Sequence, residues 1–511
     1  MDVQTRAERE EGLLALPDDA VRLFGLLGLH PGADFSVESA AALDGRRVGP
    51  VLGLLEAFAG VGLIRRVVPG RYRIDEPLRA HAAVRARRSA TQADDALVRP
   101  VCWYLHACDW LQYALAPCDA YDLEEEVPAG VTPKTFDTPQ AALAWWEDER
   151  ATIVSIVRLA AQAGLHGLAW RMSAVLRAVY AHRDAVTDWR QVAAVGAASA
   201  VADGDLAGQA LTAESLGDLH ARTCRPRDAE SHHRHALEIY RRLGDRFGQA
   251  RSVNALGLLA LRRRRLREAC MHFEDSSLIF AGLDGDDMAH WLAVTGTNEA
   301  EALIELDRAA EAAHLLGETV EVFDYFHDRH SQGNALFLLA RAHRMQGDLI
   351  SARASIDAAL AIATTAAAVG NPIWRGSWLL ELGQVQRAAG QSADALEAYQ
   401  RAADLHRELG HRGGEAVALD AAAELHREQG RAEEAVTLHR AAEAVHRELG
   451  DRWHQGLSLV GMGKALATMQ RLPQARTQWQ HALTALAVFT DPPATKLFRE
   501  IQVTLTYLRG R

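Results

Sequence analysis

The stretch ALDAAAELHREQGRAEEAVTLHRAAEAVHRELG, residues 418–450, decides the fold of this chain. Its small residues recur at fixed distances, because Ala423 is followed by Ala435 twelve residues later and by Ala442 nineteen residues later. A connector then begins at Leu449, in which Gly450 can end one helix and the next residue, an aspartate, can begin another. The segment therefore predicts two helices that cross closely through small side chains.

The same spacing recurs seven times in the second half of the chain. The small residues that mark the first helix of each repeat, called the marks below, are Gly217, Gly257, Ala300, Ala340, Gly383, Ala423 and Gly463. An alanine stands twelve residues after every mark, a small residue nineteen after, and bulkier groups such as Phe273, Tyr399 and Trp479 sixteen after. These spacings resemble the tetratricopeptide repeat. About seven such repeats predict a right-handed α-solenoid whose concave groove is the default ligand surface.

Helix periodicity places candidate groove residues three before, one after and four after each mark. The candidates are Asn254, Arg341, Arg344, Gln384, Arg387, Glu424 and Arg427, with Lys464 one residue after the last mark. One hypothesis is an arginine ladder that holds a carboxylate or an acidic peptide. The alternative is a set of surface arginines paired with Glu381, Glu424 and Glu428 along the helices. The sequence leaves both open.

Composition and charge set the class of protein. With 511 residues and 55.8 kDa the chain predicts several domains or a repeat array. A net charge of −11 argues against a protein that coats nucleic acid with its whole surface. Five irregularly spaced cysteines suggest reduced thiols. An acidic start and the lack of a long unbroken apolar run predict a cytoplasmic protein with no membrane association.

The segment before the repeats has a different pattern. Amphipathic helices are predicted over Pro17–Leu29, Val37–Leu43 and Pro50–Val61, followed by a hairpin with Pro69-Gly70 at its tip. Three helices and a two-stranded wing predict a small winged-helix domain over residues 13–90. A helical connector is predicted over 91–200, with a Pro-rich loop at 117–139, and the repeat array over 201–511.

Two stretches of this domain, LFGLLGLHPGADFSVESAAALDG (23–45) and GLIRRVVPGRYRIDEPLRAHA (62–82), carry a more specific likeness. They resemble the winged-helix subdomain that follows the nucleotide-binding NB-ARC module in AfsR/SARP-type STAND transcriptional regulators. The segment at residues 136–164, FDTPQAALAWWEDERATIVSIVRLAAQAG, is similar to the part that joins this subdomain to the tetratricopeptide repeats. The resemblance covers that family's C-terminal half and implies a role in a transcriptional regulatory pathway.

The nucleotide-binding half of that family is missing from this sequence. There is no G-x-x-x-x-G-K-[ST] phosphate loop. Asp75 and Glu76 also stand where the family tends to carry a His-Asp pair whose histidine senses nucleotide. This departure favours a natural stand-alone chain over a piece cut from a longer regulator.

The winged helix offers a second possible function. Arg65, Arg66, Arg71 and Arg73 on the wing are candidate phosphate contacts. The helix at residues 50–61, however, has almost no side chain that could recognise a base apart from Glu56. Packing of this domain against a partner is therefore favoured over DNA binding.

Known catalytic and metal motifs are absent from the sequence. Cys102, His106 and Cys108 lie near one another on a predicted helix, but aromatic neighbours indicate core packing and no fourth ligand is spaced to join them. The histidines at 232, 233 and 235 are predicted to lie on a solvated helix. We therefore predict no catalytic residue, no cofactor and no metal.

These observations predict an all-α protein, a tetratricopeptide-repeat solenoid with a small N-terminal winged helix. The favoured function is a non-enzymatic protein-interaction or ligand-sensing module that binds a peptide, a protein or a small metabolite in the solenoid groove. A homo-oligomer is possible. The alternatives are a biosynthetic enzyme recruited from a regulator scaffold, with its substrate in the groove, and DNA binding through the winged helix.

Overall fold

The computed structural model describes residues 17–87, 90–183, 185–285, 287–364 and 372–508. These residues are overwhelmingly helical, as the repeat pattern predicts. The chain forms two compact units, Met1–Asp245 and Arg246–Arg511. The division falls in a predicted connector, so the first predicted repeat belongs to the first unit. Among the described helices, none has both the length and the apolar character that a bilayer crossing requires.

The first unit begins with a small helical domain that carries a three-stranded sheet. Its elements are α1 (Asp18–Leu27), β1 (Phe35–Ser36), α2 (Val37–Asp44), α3 (Val48–Gly60), β2 (Arg65–Val68), β3 (Arg71–Arg73) and α4 (Glu76–Arg87). The predicted order of three helices and a hairpin is present, and the short strand β1 is an addition. Strand β3 lies between β1 and β2, antiparallel to both. Phe24, Phe35, Phe58 and Tyr72 fill the core, which fixes the hairpin on the helices.

The rest of the first unit is helical. It contains α5 (Ala90–Leu115), a short 3-10 turn (Pro117–Asp119), α6 (Pro139–Gln162), α7 (His166–Arg183), α8 (Val186–Asp203), α9 (Leu206–Arg222) and α10 (Pro226–Leu243). The Pro-rich segment between α5 and α6 is irregular, as its composition predicts. The Gln112 side chain holds it by hydrogen bonds to both the backbone N–H and the carbonyl of Tyr121.

The second unit is a series of helical hairpins. Its helices are α11 (Arg246–Arg262), α12 (Leu266–Ala281), α13 (Met288–Glu305), α14 (Ala309–Tyr325), α15 (Arg329–Gln346), α16 (Leu349–Thr364), α17 (Pro372–Ala388), α18 (Ser392–Glu408), α19 (Arg412–Glu428), α20 (Ala432–Leu449), α21 (Arg452–Thr468), α22 (Leu472–Leu486) and α23 (Pro492–Tyr507). Each odd-numbered helix from α11 to α21 packs on the helix that follows it and forms one hairpin. The described residues thus give six hairpins and a final helix.

The small residues of the repeat lie at the helix contacts. All seven alanines twelve residues after the marks are fully buried, and the small residues nineteen after the marks are buried as well. The glycine marks face the bulky position of the same hairpin. A Cβ atom added to Gly383 would lie 2.5 Å from the Tyr399 ring, and one added to Gly463 would lie 2.3 Å from the Trp479 ring. The helices therefore cross at a distance that these positions permit only to small side chains.

Two histidines occupy the bulky core position. His233 and His439, each sixteen residues after a mark, are both 2% exposed. The prediction that the histidines at 232–235 lie on a solvated face is therefore wrong for His233, whose ring packs against Gly217. His233 is buried because its place in the repeat outweighs the polarity of its side chain.

The Cys-His-Cys group of α5 belongs to the core of the first unit. Cys102 and Cys108 are buried. Burial raises the pKa of the Cys102 thiol to about 12, and it also raises that of Cys108. A metal-binding thiol must ionise, and this buried environment opposes ionisation. It therefore favours core packing, as the sequence predicts.

Candidate functional site

The charged and amide side chains of the first helices form a polar surface on the second unit. We call this the first-helix surface. Its residues, on α11, α13, α15, α17 and α19, are Asn254, Asn298, Glu301, Glu305, Arg341, Arg344, Glu381, Gln384, Arg387, Glu424, Arg427 and Glu428. They recur because each first helix repeats the same apolar face toward its partner helix, and the remaining positions are free to be polar.

Arginine–glutamate pairs connect neighbouring first helices across this surface. Nη2 of Arg341 lies 2.5 Å from Oε1 of Glu305. Nε of Arg344 lies 2.5 Å from Oε1 of Glu381. Farther along the chain, Arg387 contacts both carboxylate oxygens of Glu428, and Arg427 pairs with Glu424 on its own helix. The predicted arginines are thus arranged in series, and each is balanced by a carboxylate.

Two acidic residues of α13, Glu301 and Glu305, have opposite protonation tendencies. Burial alone would raise the pKa of Glu305, but Arg341 and Arg264 outweigh it and hold that pKa at about 2. Burial raises the pKa of Glu301, which lies one turn before it, although Arg341 opposes this shift. The surface therefore has one firmly ionised carboxylate next to one that is easier to protonate.

Amide groups extend the surface toward its N-terminal end. The Nδ2 group of Asn298 donates a hydrogen bond of 3.0 Å to Oδ1 of Asn254, so the first helices of two hairpins are linked. Asn254 is only 7% exposed, and Gln384 is half-buried. Lys464, one residue after the last mark, is exposed. Their contact with a ligand stays a prediction.

A second polar cluster joins the two ends of the second unit. Arg264, in the turn between α11 and α12, lies 3.0 Å from Asp491 and 2.6 Å from Glu305. Its guanidinium carbon is 3.6 Å from the centre of the Trp453 ring, on α21. Arg264 is 8% exposed and the Asp491 carboxylate 3%. We call these four residues the Arg264 clasp; they connect the first hairpin of the unit with its last helices.

The wing arginines are all paired with carboxylates. Arg71 is largely buried and contacts Asp34 and the fully buried Glu149 on α6. Arg65, Arg66 and Arg73 are about half exposed or more and pair with Asp75, Glu56 and Asp34, respectively. Arg71 is therefore a packing residue of the first unit, and contact of the other three with nucleic acid stays a prediction.

Sequence reasoning missed several of the residues that complete these clusters. Glu301 lies one residue after its mark, so the spacing used for the groove candidates could have identified it. Asn298 and Glu305 lie one position away from the predicted groove positions. Arg264 and Asp491 are 227 residues apart in the sequence, and no local pattern connects them.

The comparison with known proteins agrees with this architecture. Residues 197–287 and 374–448 match the tetratricopeptide repeat family. Over 451 aligned residues the chain is 27% identical to the regulatory protein AfsR of Streptomyces griseus, covering 81% of this chain and 45% of that protein. The chain is homologous to the AfsR regulatory proteins over most of its length. AfsR of Streptomyces coelicolor is 27% identical over 335 residues, or 63% of this chain and 32% of that protein.

The chain spans less than half the length of these AfsR relatives. This is consistent with the predicted likeness to the C-terminal, repeat-containing part of AfsR-like regulators. Together, the repeats and the AfsR homology support a regulatory protein-interaction module.

Two solved structures have a looser likeness. One is a STAND ATPase with a tetratricopeptide repeat sensor from Pyrococcus horikoshii, with 13% identity and a TM-score of 0.44 over 98% of this chain and 62% of that chain. The other is the apo form of the quorum sensor NprR from B. thuringiensis, with 12% identity and a TM-score of 0.41 over 61% of this chain and 97% of that chain. Both scores are below 0.5, so neither says what this chain binds.

Proposed function

We propose that this chain is the interaction module of a bacterial transcriptional regulatory pathway, and that its second unit binds a protein or peptide segment along the first-helix surface. The observation that carries the proposal is the series of arginine–glutamate pairs that connects consecutive first helices, from Glu305 and Arg341 to Arg387 and Glu428. An extended segment that lies across these helices, from one hairpin to the next, would meet a charged pair at each step.

The balance of charge indicates the kind of segment. Each predicted arginine already has a carboxylate partner, so the surface has little excess positive charge to attract a purely acidic peptide. A segment with groups of both signs can exchange these pairs one for one. The amide groups of Asn254 and Asn298 can both donate and accept hydrogen bonds, which suits a peptide backbone.

The N-terminal domain over residues 13–90 has a separate role in this proposal. Its helices, its sheet and the buried Arg71–Glu149 contact make it an integral part of the first unit. We propose that its exposed wing docks against a partner domain, with the connector over residues 91–200 between it and the repeats.

The test is selection of short random peptides on the immobilised full chain, followed by fluorescence anisotropy with the selected peptides. The test variant is Arg387→Gln with Arg427→Gln, chosen because both glutamate partners are partly exposed and the fold should tolerate the change. We expect affinity to fall about tenfold or more, as for the loss of two hydrogen bonds to charged groups.

The matched control is Arg308→Gln with Arg353→Gln. These arginines form similar ion pairs, with Glu311 and Asp357, but lie at the start of α14 and on α16, which are second helices. The control should bind the selected peptides as the unchanged chain does. Equal losses in both variants, equal affinity in all three proteins, or no selectable peptide would each contradict the proposal.

A further inference from the structure

The corner between α20 and α21 brings together two histidines and an aspartate. His446 lies near the end of α20, Asp451 precedes α21, and His454 lies in the first turn of α21. One ligand atom from each side chain can be chosen so that all three lie within 4.8 Å of one another. Nδ1 of His454 is 2.7 Å from Oδ2 of Asp451, and Nδ1 of His446 is 3.8 Å from the same oxygen.

His446 is the residue that points to a ligand. Its side chain is fully buried, and neither ring nitrogen has a hydrogen-bond partner in the described part of the chain. A buried polar group without a hydrogen bond destabilises a fold by about 1–3 kcal/mol, and both nitrogens of His446 lack one, although carboxylate oxygens of Asp420 and Asp451 lie 3.6 and 3.8 Å away. A metal ion near Oδ2 of Asp451 would accept the lone pair of Nδ1 of His446.

From this geometry we propose that His446, Asp451 and His454 bind a divalent transition-metal ion, with Zn²⁺ as the best-fitting ion. Two imidazole nitrogens and one carboxylate oxygen are ligands typical of Zn²⁺. In tetrahedral coordination the ligand atoms lie about 3.3 Å apart, and the two distances to Oδ2 of Asp451, 2.7 and 3.8 Å, lie on either side of this value. Asp451 and His454 are partly exposed, which leaves the fourth position open to water.

A second layer of contacts supports His446 as a ligand. Its other nitrogen, Nε2, is 3.6 Å from Oδ2 of Asp420 on α19. That carboxylate also accepts hydrogen bonds from Ser458 and the ring of His439. A metal-binding histidine usually directs its second nitrogen toward such a carboxylate, which fixes the ring orientation.

The other repeats show that the combination is specific to this corner. An aspartate in the place of Asp451 is not specific, because Asp328 begins α15 in the same way. The residue in the place of His454 is Ser331 in that repeat and a glycine, 208, 248 or 414, in three others. The residue in the place of His446 is Phe323 in the repeat that contains Asp328, and it is His406, also buried, in the repeat that precedes His446. Helix capping therefore explains Asp451, and the repeat core explains a buried ring at position 446, but neither explains His454.

The proposed effect of the ion is structural. The ion would join the end of one hairpin to the beginning of the next. Because an ion that binds only the folded chain stabilises it increasingly as the free ion concentration rises above the Kd, Zn²⁺ should raise the Tm of the second unit.

The test is titration of the metal-stripped full chain with ZnSO4 by isothermal titration calorimetry, with Co²⁺ absorption spectra as a second measurement. The variants are His454→Gly and His446→Phe, residues that other repeats carry at these positions. The control is His314→Ala, which removes a histidine that is 81% exposed on α14.

We expect both variants to lose one equivalent of Zn²⁺, or to bind it at least about tenfold more weakly, and to lose the Co²⁺ visible bands. The control should keep the Zn²⁺ binding and the Co²⁺ visible bands. Zn²⁺ should raise the Tm of the unchanged chain and of the control only. Identical stoichiometry and affinity in all four proteins would show adventitious histidine binding and overturn the proposal. Absence of binding to the unchanged chain would overturn it as well. Far-UV circular dichroism verifies that both variants are folded.

Discussion

At the scale of single residues, the contact between Gly383 and the Tyr399 ring shows how tightly a hairpin closes. The substitution Gly383→Val should reduce the free energy of unfolding by about 1–3 kcal/mol, because the added atoms have no space. The control Gly317→Ala, on the open side of α14, has no atom near the new Cβ. It should stabilise the helix by up to about 1 kcal/mol. Urea denaturation measures both, and similar effects of the two substitutions would show that the glycine marks are not contact points.

A buried histidine gives the repeats a dependence on pH. His406 is 1% exposed, and burial, with a smaller contribution from His411, lowers its pKa to about 4. Nδ1 of His411 accepts a hydrogen bond from the backbone N–H of Gly414 and faces Nδ1 of His406 at 3.2 Å. The His406 ring therefore stays neutral in the folded chain while the unfolded chain takes up a proton.

As pH falls from about 6.5 to about 4, His406 should lower the free energy of unfolding by up to about 1.4 kcal/mol per pH unit. In the variant His406→Phe, which carries the residue found at the equivalent position 323, stability should decline less steeply over that range. Denaturation midpoints measured between pH 4 and 7.5 test this. A slope that matches the unchanged chain would assign the acid sensitivity to other groups; the exposed His314→Ala is the matched control.

At the scale of secondary-structure elements, the Arg71–Glu149 pair holds the β2–β3 hairpin against α6. Removal of Arg71 as Arg71→Met should reduce the stability of the first unit by about 3–5 kcal/mol, since it leaves the buried Glu149 without its counter-charge. The double variant Arg71→Met with Glu149→Gln should recover part of this loss. Tryptophan fluorescence in urea measures both.

The control for this prediction is Arg65→Met on the same wing. Its ion pair with Asp75 is exposed, so the expected loss is below about 1 kcal/mol. If Arg71→Met were as mild as Arg65→Met, the hairpin would be held by its apolar core alone and Arg71 would be available to contact a ligand.

At the scale of the whole molecule, the Arg264 clasp joins the ends of the second unit. Arg264 has a φ of 55°, in a turn position that glycine holds at residues 347, 390 and 430. The variant Arg264→Gly therefore removes the side chain without adding backbone strain. We expect the amide hydrogens of α23 to exchange at least tenfold faster, because Asp491 loses its buried partner.

The control Gln470→Gly changes a residue of the same backbone conformation, with a φ of 60° and an exposed side chain. Its exchange rates should match the unchanged chain. The variant Asp491→Ser separates the clasp from helix capping, since serine can still accept the hydrogen bond that Asp491 takes from the Ala494 backbone. Slow exchange in both Arg264→Gly and Asp491→Ser would show that the clasp does not hold the ends together.

Features that depend on residues close together in the sequence were predictable. The spacing of small and bulky residues predicted the hairpins, because the contact between two adjacent helices depends on residues less than twenty positions apart. The Pro-Gly tip predicted the hairpin of the first unit for the same reason, whereas strand β1 is too short to have a pattern. The prediction for His233 is wrong because its position in the repeat, sixteen residues after a mark, decides its burial more strongly than the polarity of its side chain.

The sequence by itself determined the repeat architecture and the homology to AfsR, since both depend on residue types at fixed spacing. Only the tertiary structure decided that the predicted arginines are balanced by glutamates, that Arg264 meets Asp491, and that His446 is buried beside Asp451 without a hydrogen bond. The physical reason is that ion pairs and buried polar groups depend on distance and desolvation in space. Those quantities are fixed by how successive hairpins stack.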